Sequence, residues 1–264
     1  MQLSVVVPAH NEGDRIFEDL LEIADTLRSF STSWEIILVD DGSRDATRGQ
    51  AIKARAHIPG LRIFSYQENR GKGYALRHGA GHARGDLVAF LDADLELHPK
   101  QLPVFLDILH RDRADLVVGS KRHPESPPPA ASQSFPLSRR ILSACYFLLV
   151  KQMFHLPVRD TQAGLKLFRR HVLQDVLPKV RTTRFTFDLD VLVNAHRAGY
   201  QVAEAPVVAR FLRASSRLTL RDVVRMWVDT LALYSRVHMR GVHHHRETRP
   251  GVDKSLWARA SKHR

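Results

Sequence analysis

The sequence predicts an α/β protein built on a mainly parallel, doubly wound sheet. Apolar, strand-like runs alternate with amphipathic helical stretches from residue 1 to about 120. Four of those runs end in polar or charged residues: PAHNE, DDGS, DAD and GSKRH. Alternating β and α segments close into a parallel sheet, and such sheets bind ligands outside the carboxyl ends of their strands.

Each element has its own signal. LSVVVPA is a buried strand ended by Pro8, and EDLLEIADTLRSF carries apolar residues at helical spacing. WEIILVDDGS is a second strand running into a turn; DATRGQAIKARAH is a helix and LRIFSY a third strand. GKGYALRHGAGHA is a glycine-entered helix, DLVAFLDAD the fourth strand, PKQLPVFLDILHR a helix and ADLVVGS the fifth strand. HPESPPPAASQSFP breaks the alternation; its Pro and Ser predict a loop, with a lid as one use for it. SRRILSACYFLLVKQMF then predicts a helix entered by two arginines, and LTLRDVVRMWVDTLALYSRV a final amphipathic helix. The expected organisation is one domain over residues 1–237, with membrane-interface helices at 136–156 and 218–237, and a basic tail over 238–264.

Composition narrows the function. The 264 residues carry a formal net charge of +12, which implies anionic partners. The basic residues are dispersed or gathered in the tail, not interleaved with aromatics on one element, so no nucleic-acid partner is expected. A single cysteine, Cys145, excludes an internal disulfide and suits a reducing compartment. No secretory leader is evident, and no apolar run approaches the roughly 20 residues that span a bilayer. A cytoplasmic protein attached peripherally to a membrane is therefore expected.

Two common phosphate motifs fail on spacing. Gly79 and Gly81 are followed by Arg84 where GxGxxG requires glycine, and Gly71-Lys72-Gly73 lacks the Ser or Thr of a P-loop. HExxH is absent. What remains is FLDADLEL. If the strand continues, residues two apart share a side, so Asp92 and Asp94 stand together and Glu96 follows. Paired carboxylates raise one another's pKa unless a cation neutralises them. Oxygen ligands alone favour Mg²⁺ or Mn²⁺, and Mg²⁺ typically joins one or two carboxylates to substrate phosphates. At a strand end, such acids also serve as turn formers and helix caps.

The surrounding motifs carry a resemblance. VVVPAHNE, ILVDDGSRDAT, ENRGKGYAL, GDLVAFLDADLE, DTQAGLKLFRR, FTFDLDVL and SSRL occur in this order. The set resembles family 2 glycosyltransferases of the GT-A fold. It is most similar to the branch of dolichyl-phosphate mannose synthases and dolichyl-phosphate glucosyltransferases. The resemblance covers roughly residues 1 to 237. It implies a nucleoside-diphosphate-sugar pocket from Pro8, Ala9, Glu12, Asp40, Asp41 and Lys72, with Asp92 and Arg217. It implies a metal site at Asp92, Asp94 and Glu96, although a Gln often stands at the last position in related synthases. Arg122, Arg139 and Ser143 resemble the site for an acceptor lipid phosphate. Ser216 and Arg217 resemble the motif that closes on the donor diphosphate. Asp160, Thr161 and Gly164 resemble an acceptor-side turn, and Asp188 and Asp190 an acidic helix start.

The acceptor decides which chemistry is needed. A hydroxyl requires a base, for which Asp188 or Asp190 is the candidate. A lipid phosphate, with a second pKa near about 6, is already largely dianionic and needs only positioning. Arg122 and Arg139 suit that task, because a guanidinium pairs with phosphate in bidentate fashion. Ile141, Leu142, Tyr146, Leu149 and Phe154 on one helix, and Met226, Trp227, Leu231 and Tyr234 on the other, are expected to meet the polyprenyl chain or the membrane. An ordinary pair of packed helices is the alternative.

Overall fold

The structure is a computed structural model that describes residues 2–127, 137–184, 186–210 and 220–239; the side chains of residues 137–143, 220–223 and 239 are outside the description. Ser216, Arg217 and the tail from residue 240 therefore lie outside the described residues, as do most of the Pro/Ser-rich loop and the side chains of Arg139 and Ser143.

Among the described residues seven strands form one sheet: β1 Leu3–Ala9, β2 Trp34–Asp41, β3 Leu61–Tyr66, β4 Leu87–Phe90, β5 Leu116–Ser120, β6 Lys166–Arg169 and β7 Val202–Pro206. Their order is β3-β2-β1-β4-β6-β5-β7. β1 pairs in parallel with β2 and β4, β2 with β3, and β5 with β7. Only β6 runs antiparallel, to both β4 and β5. Two reversals restore direction, so β5 points the same way as β4. The ends of β1, β2, β4 and β5 therefore share one edge, as the sequence predicted. β6 and β7 are strands that the sequence reading did not place. KLFR has four residues and no alternation, and it is held by partners on both sides.

Among the described residues eight α-helices cover the sheet: α1 Ile16–Phe30, α2 Thr47–Arg55, α3 Lys72–His82, α4 Leu102–Arg111, α5 Leu137–Phe154, α6 Arg170–Val176, α7 Phe187–Arg197 and α8 Leu220–Met239. The period of two in β1 splits the core. Val5 and Val7 face α1, α2 and α4, whereas Val6 joins a cluster with α3, α5, α6, α7 and α8. All three valines are fully buried, as befits a sheet covered on both faces. Gly79 of α3 serves packing: a Cβ there would lie 2.4 Å from Val6 Cγ1, so only glycine lets α3 lie on β1.

α5 and α8 pack on each other. Tyr146 and Thr230 share a hydrogen bond of 3.0 Å, Tyr146 meets Trp227 edge-on, and Phe154 meets Tyr234. Tyr146 and Phe154 are buried by this pairing. Of the expected membrane-facing set, Tyr146 and Phe154 thus face the neighbouring helix, as in the packed-helix alternative, while Trp227 and Tyr234 are half-buried at that contact. The large apolar side chains left exposed are Leu148 on α5 and Val224, Val228 and Leu231 on α8. Among the described residues, no helix is long and apolar enough to cross a membrane.

Candidate active site

The loops after β1 and β2 are laced into a shelf. Asn11, at φ 55°, has its N–H on Ser43 Oγ at 2.9 Å, and its Oδ1 accepts from Arg44 N–H at 2.9 Å. Glu12 N–H donates to Thr47 Oγ1 at 2.8 Å, Gly13 N–H to Asp45 Oδ2 at 2.9 Å, and Ser43 N–H to Asp40 Oδ1 at 3.0 Å. Pro8, Ala9, Glu12 and Asp40 thus sit at one edge on a backbone already satisfied by local hydrogen bonds.

Asp41 has a second duty. Its carboxylate accepts from Tyr66 Oη at 2.8 Å, Arg70 N–H at 2.8 Å and Gly71 N–H at 2.9 Å. Gly71, at φ 96°, opens α3. Asp41 therefore anchors the turn that delivers Lys72 to the cleft. Burial and the Asp41 charge push the Tyr66 phenol well above its usual range.

Three lysine–carboxylate pairs follow along the same edge. Lys72 Nζ lies 2.6 Å from Asp92 Oδ1, Lys121 Nζ 3.0 Å from Glu96 Oε1, and Lys166 Nζ 2.7 Å from Asp188 Oδ1. Burial works against the Asp92 carboxylate, but Lys72, Lys166 and Lys121 outweigh it and hold its pKa below the ordinary value. Burial also works against the Lys72 ammonium, yet Asp92, Asp188 and Asp94 raise its pKa. Asp94 goes the other way: burial, and then the charge on Asp92, push its carboxyl up.

The geometry corrects the argument from strand alternation. β4 stops at Phe90 and the chain turns: Leu95 N–H reaches Asp92 O at 3.3 Å, Leu95 has φ 52°, and Glu96 N–H caps Asp94 Oδ1 at 3.0 Å. A turn, not a continuing strand, brings Asp92 and Asp94 into electrostatic contact. Glu96 is diverted to Lys121. Among the described residues no three His, Cys, Asp or Glu side chains are grouped to hold a metal, so the expected Asp92–Asp94–Glu96 set is not assembled. Asp92 and Asp94 alone still fit a divalent ion. They are two oxygen donors, and the raised pKa of Asp94 marks a charge that a cation would relieve.

The remaining predicted residues separate into two groups. Asp190 is fully buried and accepts from Arg181 N–H, Thr182 N–H and Oγ1, Asn194 Nδ2 and Arg236 Nη2. With both oxygens occupied it ties the 181–184 segment and α8 to α7, which disfavours a role as base. Asp188 is buried against Lys166. Asp160 accepts from Lys121 N–H and Gln162 N–H, holding the turn beside the end of β5. Arg122 is exposed, and its guanidinium lies 4.4 Å over the Phe147 ring of α5. The backbone positions of Ser143 and Arg139 lie one and two helical turns before Phe147, hence on the same face of α5.

Two contributors escaped the sequence reading. Lys166 is 1% exposed; a lysine inside the apolar run LKLF was the available signal. Gly164 was placed only in a turn, but a Cβ there would lie 2.0 Å from Asp92 Oδ2, so its backbone forms the wall behind that carboxylate.

The family model for glycosyl transferase family 2 matches residues 4–177, more than half of the chain. The chain belongs to that family. Among curated relatives of this glycosyltransferase, dolichyl-phosphate beta-glucosyltransferase ALG5A of Trichomonas vaginalis is 30% identical over 249 residues, 89% of this chain and 74% of the relative. Dolichyl-phosphate beta-glucosyltransferase of Saccharomyces cerevisiae is 28% identical over 257 residues, 91% of this chain and 76% of the relative. The fold is shared with glucosyl-3-phosphoglycerate synthase of Mycobacterium tuberculosis in complex with UDP. The TM-score is 0.65 at 21% identity, covering 89% of this chain and 79% of that one. That synthase has also been solved with Mn²⁺ and UDP. The α/β fold of this chain is thus the GT-A fold, and the protein is a glycosyltransferase.

Proposed function

We propose that this glycosyltransferase moves a hexose from a nucleoside-diphosphate sugar, UDP-glucose or GDP-mannose, to a polyprenyl phosphate of the dolichyl type, with inversion. The observation that carries the reading is the charge gathered at one sheet edge. Asp92, Asp94 and Lys72 come together after β4 and at the start of α3, and the exposed Arg122, over the Phe147 ring of α5, follows the end of β5. A diphosphate donor fits the first group and a phosphate acceptor fits Arg122. The two relatives named above are dolichyl-phosphate glucosyltransferases, which favours the same acceptor and glucose.

In this reading the shelf of Pro8, Ala9, Glu12 and Asp40 binds the nucleoside. An acceptor phosphate oxygen attacks the anomeric carbon, the bond from that carbon to the β-phosphate oxygen breaks, and the nucleoside diphosphate departs with the electron pair. Lys72, fixed by Asp92, stabilises negative charge as it develops on the leaving group. A divalent ion, Mg²⁺ or Mn²⁺, held by Asp92 and Asp94, would add Lewis-acid stabilisation there; Mn²⁺ accompanies UDP in the mycobacterial neighbour. Arg122, with Arg139 and Ser143 of α5, orients the acceptor phosphate, and Arg217 closes on the donor diphosphate. No proton need be removed, because the phosphate is already anionic.

The second reading, transfer to a sugar or glycolipid hydroxyl, needs a free base. Asp190 is saturated and Asp188 is neutralised by Lys166, which favours the phosphate acceptor. Peripheral attachment to the cytoplasmic face of a membrane completes the reading. Val224, Val228, Leu231 and Leu148 supply the exposed apolar contacts. Labelled UDP-glucose or GDP-mannose with polyprenyl phosphate, with and without EDTA, tests it. The expected result is a lipid-linked, mild-acid-labile product that EDTA suppresses; transfer to a hydroxyl acceptor only would overturn it.

A further inference from the structure

A cavity of about 450 Å³ opens between the 181–184 segment and α8, and none of the site residues above that handle donor or acceptor lines it. Arg181, Arg184, Arg225 and Arg236 line it, against a single carboxylate, Asp229. Arg236 is paired with Asp190, which leaves three further guanidiniums facing one carboxylate, an excess of positive charge that an entering anion would relieve. Arg236 gives Nη2 to Asp190 at 3.1 Å, while its buried Nη1 has no hydrogen-bond partner among the described residues. One wall is fixed: Thr183 O accepts from Tyr74 N–H at 3.1 Å, and a Cβ on Gly71 would lie 2.7 Å from that same oxygen. The site is thus partly preorganised, and guanidinium forks suit phosphate.

The neighbouring surface narrows the ligand. Arg225, Asp229, Ala232 and Arg236 recur at helical spacing on the cavity side of α8. The exposed Val224, Val228 and Leu231 each precede one of these residues, so an apolar strip runs directly beside the arginines. A phosphate joined to apolar chains matches both halves.

We propose that this cavity binds the phosphate headgroup of an anionic membrane phospholipid, while Val224, Val228 and Leu231 enter the acyl region beside it. The proposal rests on the reading that the enzyme works on a membrane surface. It adds a headgroup site separate from the acceptor phosphate site at Arg122.

The test is sedimentation of the full chain with phosphatidylcholine vesicles, with and without phosphatidylglycerol, at physiological ionic strength. Three variants accompany it: R184A/R225A, the charge-matched R48A/R55A on the exposed side of α2, and V224S/V228S/L231S. Each is checked for an unchanged melting temperature, with R225Q as the milder cavity variant. The wild type should prefer the anionic vesicles, and R184A/R225A should lose about tenfold of that affinity. R48A/R55A should lose much less. Equal loss in the two arginine pairs means diffuse attraction and overturns the site. Loss only in V224S/V228S/L231S keeps membrane attachment but overturns the headgroup pocket. Absence of vesicle binding by the wild type overturns both. Inorganic phosphate that binds the wild type and not R184A/R225A, without displacing vesicles, would reassign the cavity to a free anion. Impaired turnover of R184A/R225A in detergent with a short-chain acceptor would make the cavity part of the catalytic site and overturn its separate role.

Discussion

Gly164 and Asp92 touch so closely that any side chain at 164 would push the carboxylate aside: a Cβ there would lie 2.0 Å from Asp92 Oδ2. The wall behind the donor-side carboxylate is therefore backbone. G164A should fold, since one methyl at a cleft wall displaces little core. It should nonetheless lose about 10²-fold in kcat, because misplacing a reacting group by about 1 Å has that cost. Steady-state kinetics beside a thermal melt check this; a fully active G164A would mean that Asp92 is free to move.

Lys72 and Asp92 form the pair that the same wall supports. In the proposed reaction K72M removes a cation from the developing diphosphate charge, and a loss of about 10²–10³-fold in kcat is expected, the range seen when one preorganised donor is deleted. D92N should lose nucleotide-sugar affinity as well. Calorimetry with UDP and GDP separates binding from turnover.

Asp94 should make the proposed divalent-ion binding pH-dependent. Its carboxyl is pushed up by burial and by Asp92, and only the ionised form ligates a cation. Mn²⁺ affinity should therefore fall on acidification from a pH above the roughly 3.9 of an ordinary aspartate. The sign is set by the shift: a raised pKa protonates earlier as pH drops. Titration of Mn²⁺ by electron paramagnetic resonance across pH, with D94N as the flat control, checks it.

Asp190 is expected to matter for stability before chemistry. D190A leaves Arg236 and the amides of the 181–184 segment without their acceptor. A cost of about 3 kcal/mol follows from breaking one side of a buried charged network. D188N should cost less stability, because it keeps a hydrogen-bond acceptor for Lys166. Denaturant melts rank the two.

Arg122 should act on the acceptor alone. R122A is expected to raise KM for polyprenyl phosphate by about tenfold or more, a charge-assisted contact being worth about 1.5–3 kcal/mol, with donor affinity unchanged. An equal effect on both substrates would show that the two sites are not independent.

Five strands, their alternation with helices and the shared edge of their ends were legible in the sequence, because hydrophobic period and turn residues are local signals. The places of Asp92, Asp94 and Arg122 at or near those ends were legible too, whereas Lys72 came from the resemblance alone. β6 and β7 were not legible: a four-residue strand between two partners is held by pairing, not by its own letters. Nor could the sequence tell that Glu96 turns to Lys121, that Asp190 is saturated, or that Tyr146 and Phe154 face α8. By itself the sequence determined the fold class and the kind of chemistry, through periodicity and the ordered motifs. Only the tertiary structure decided which carboxylate each lysine neutralises and which helix face stays exposed. Those contacts join residues far apart in the chain, and their energies depend on distance and burial that no spacing of letters encodes.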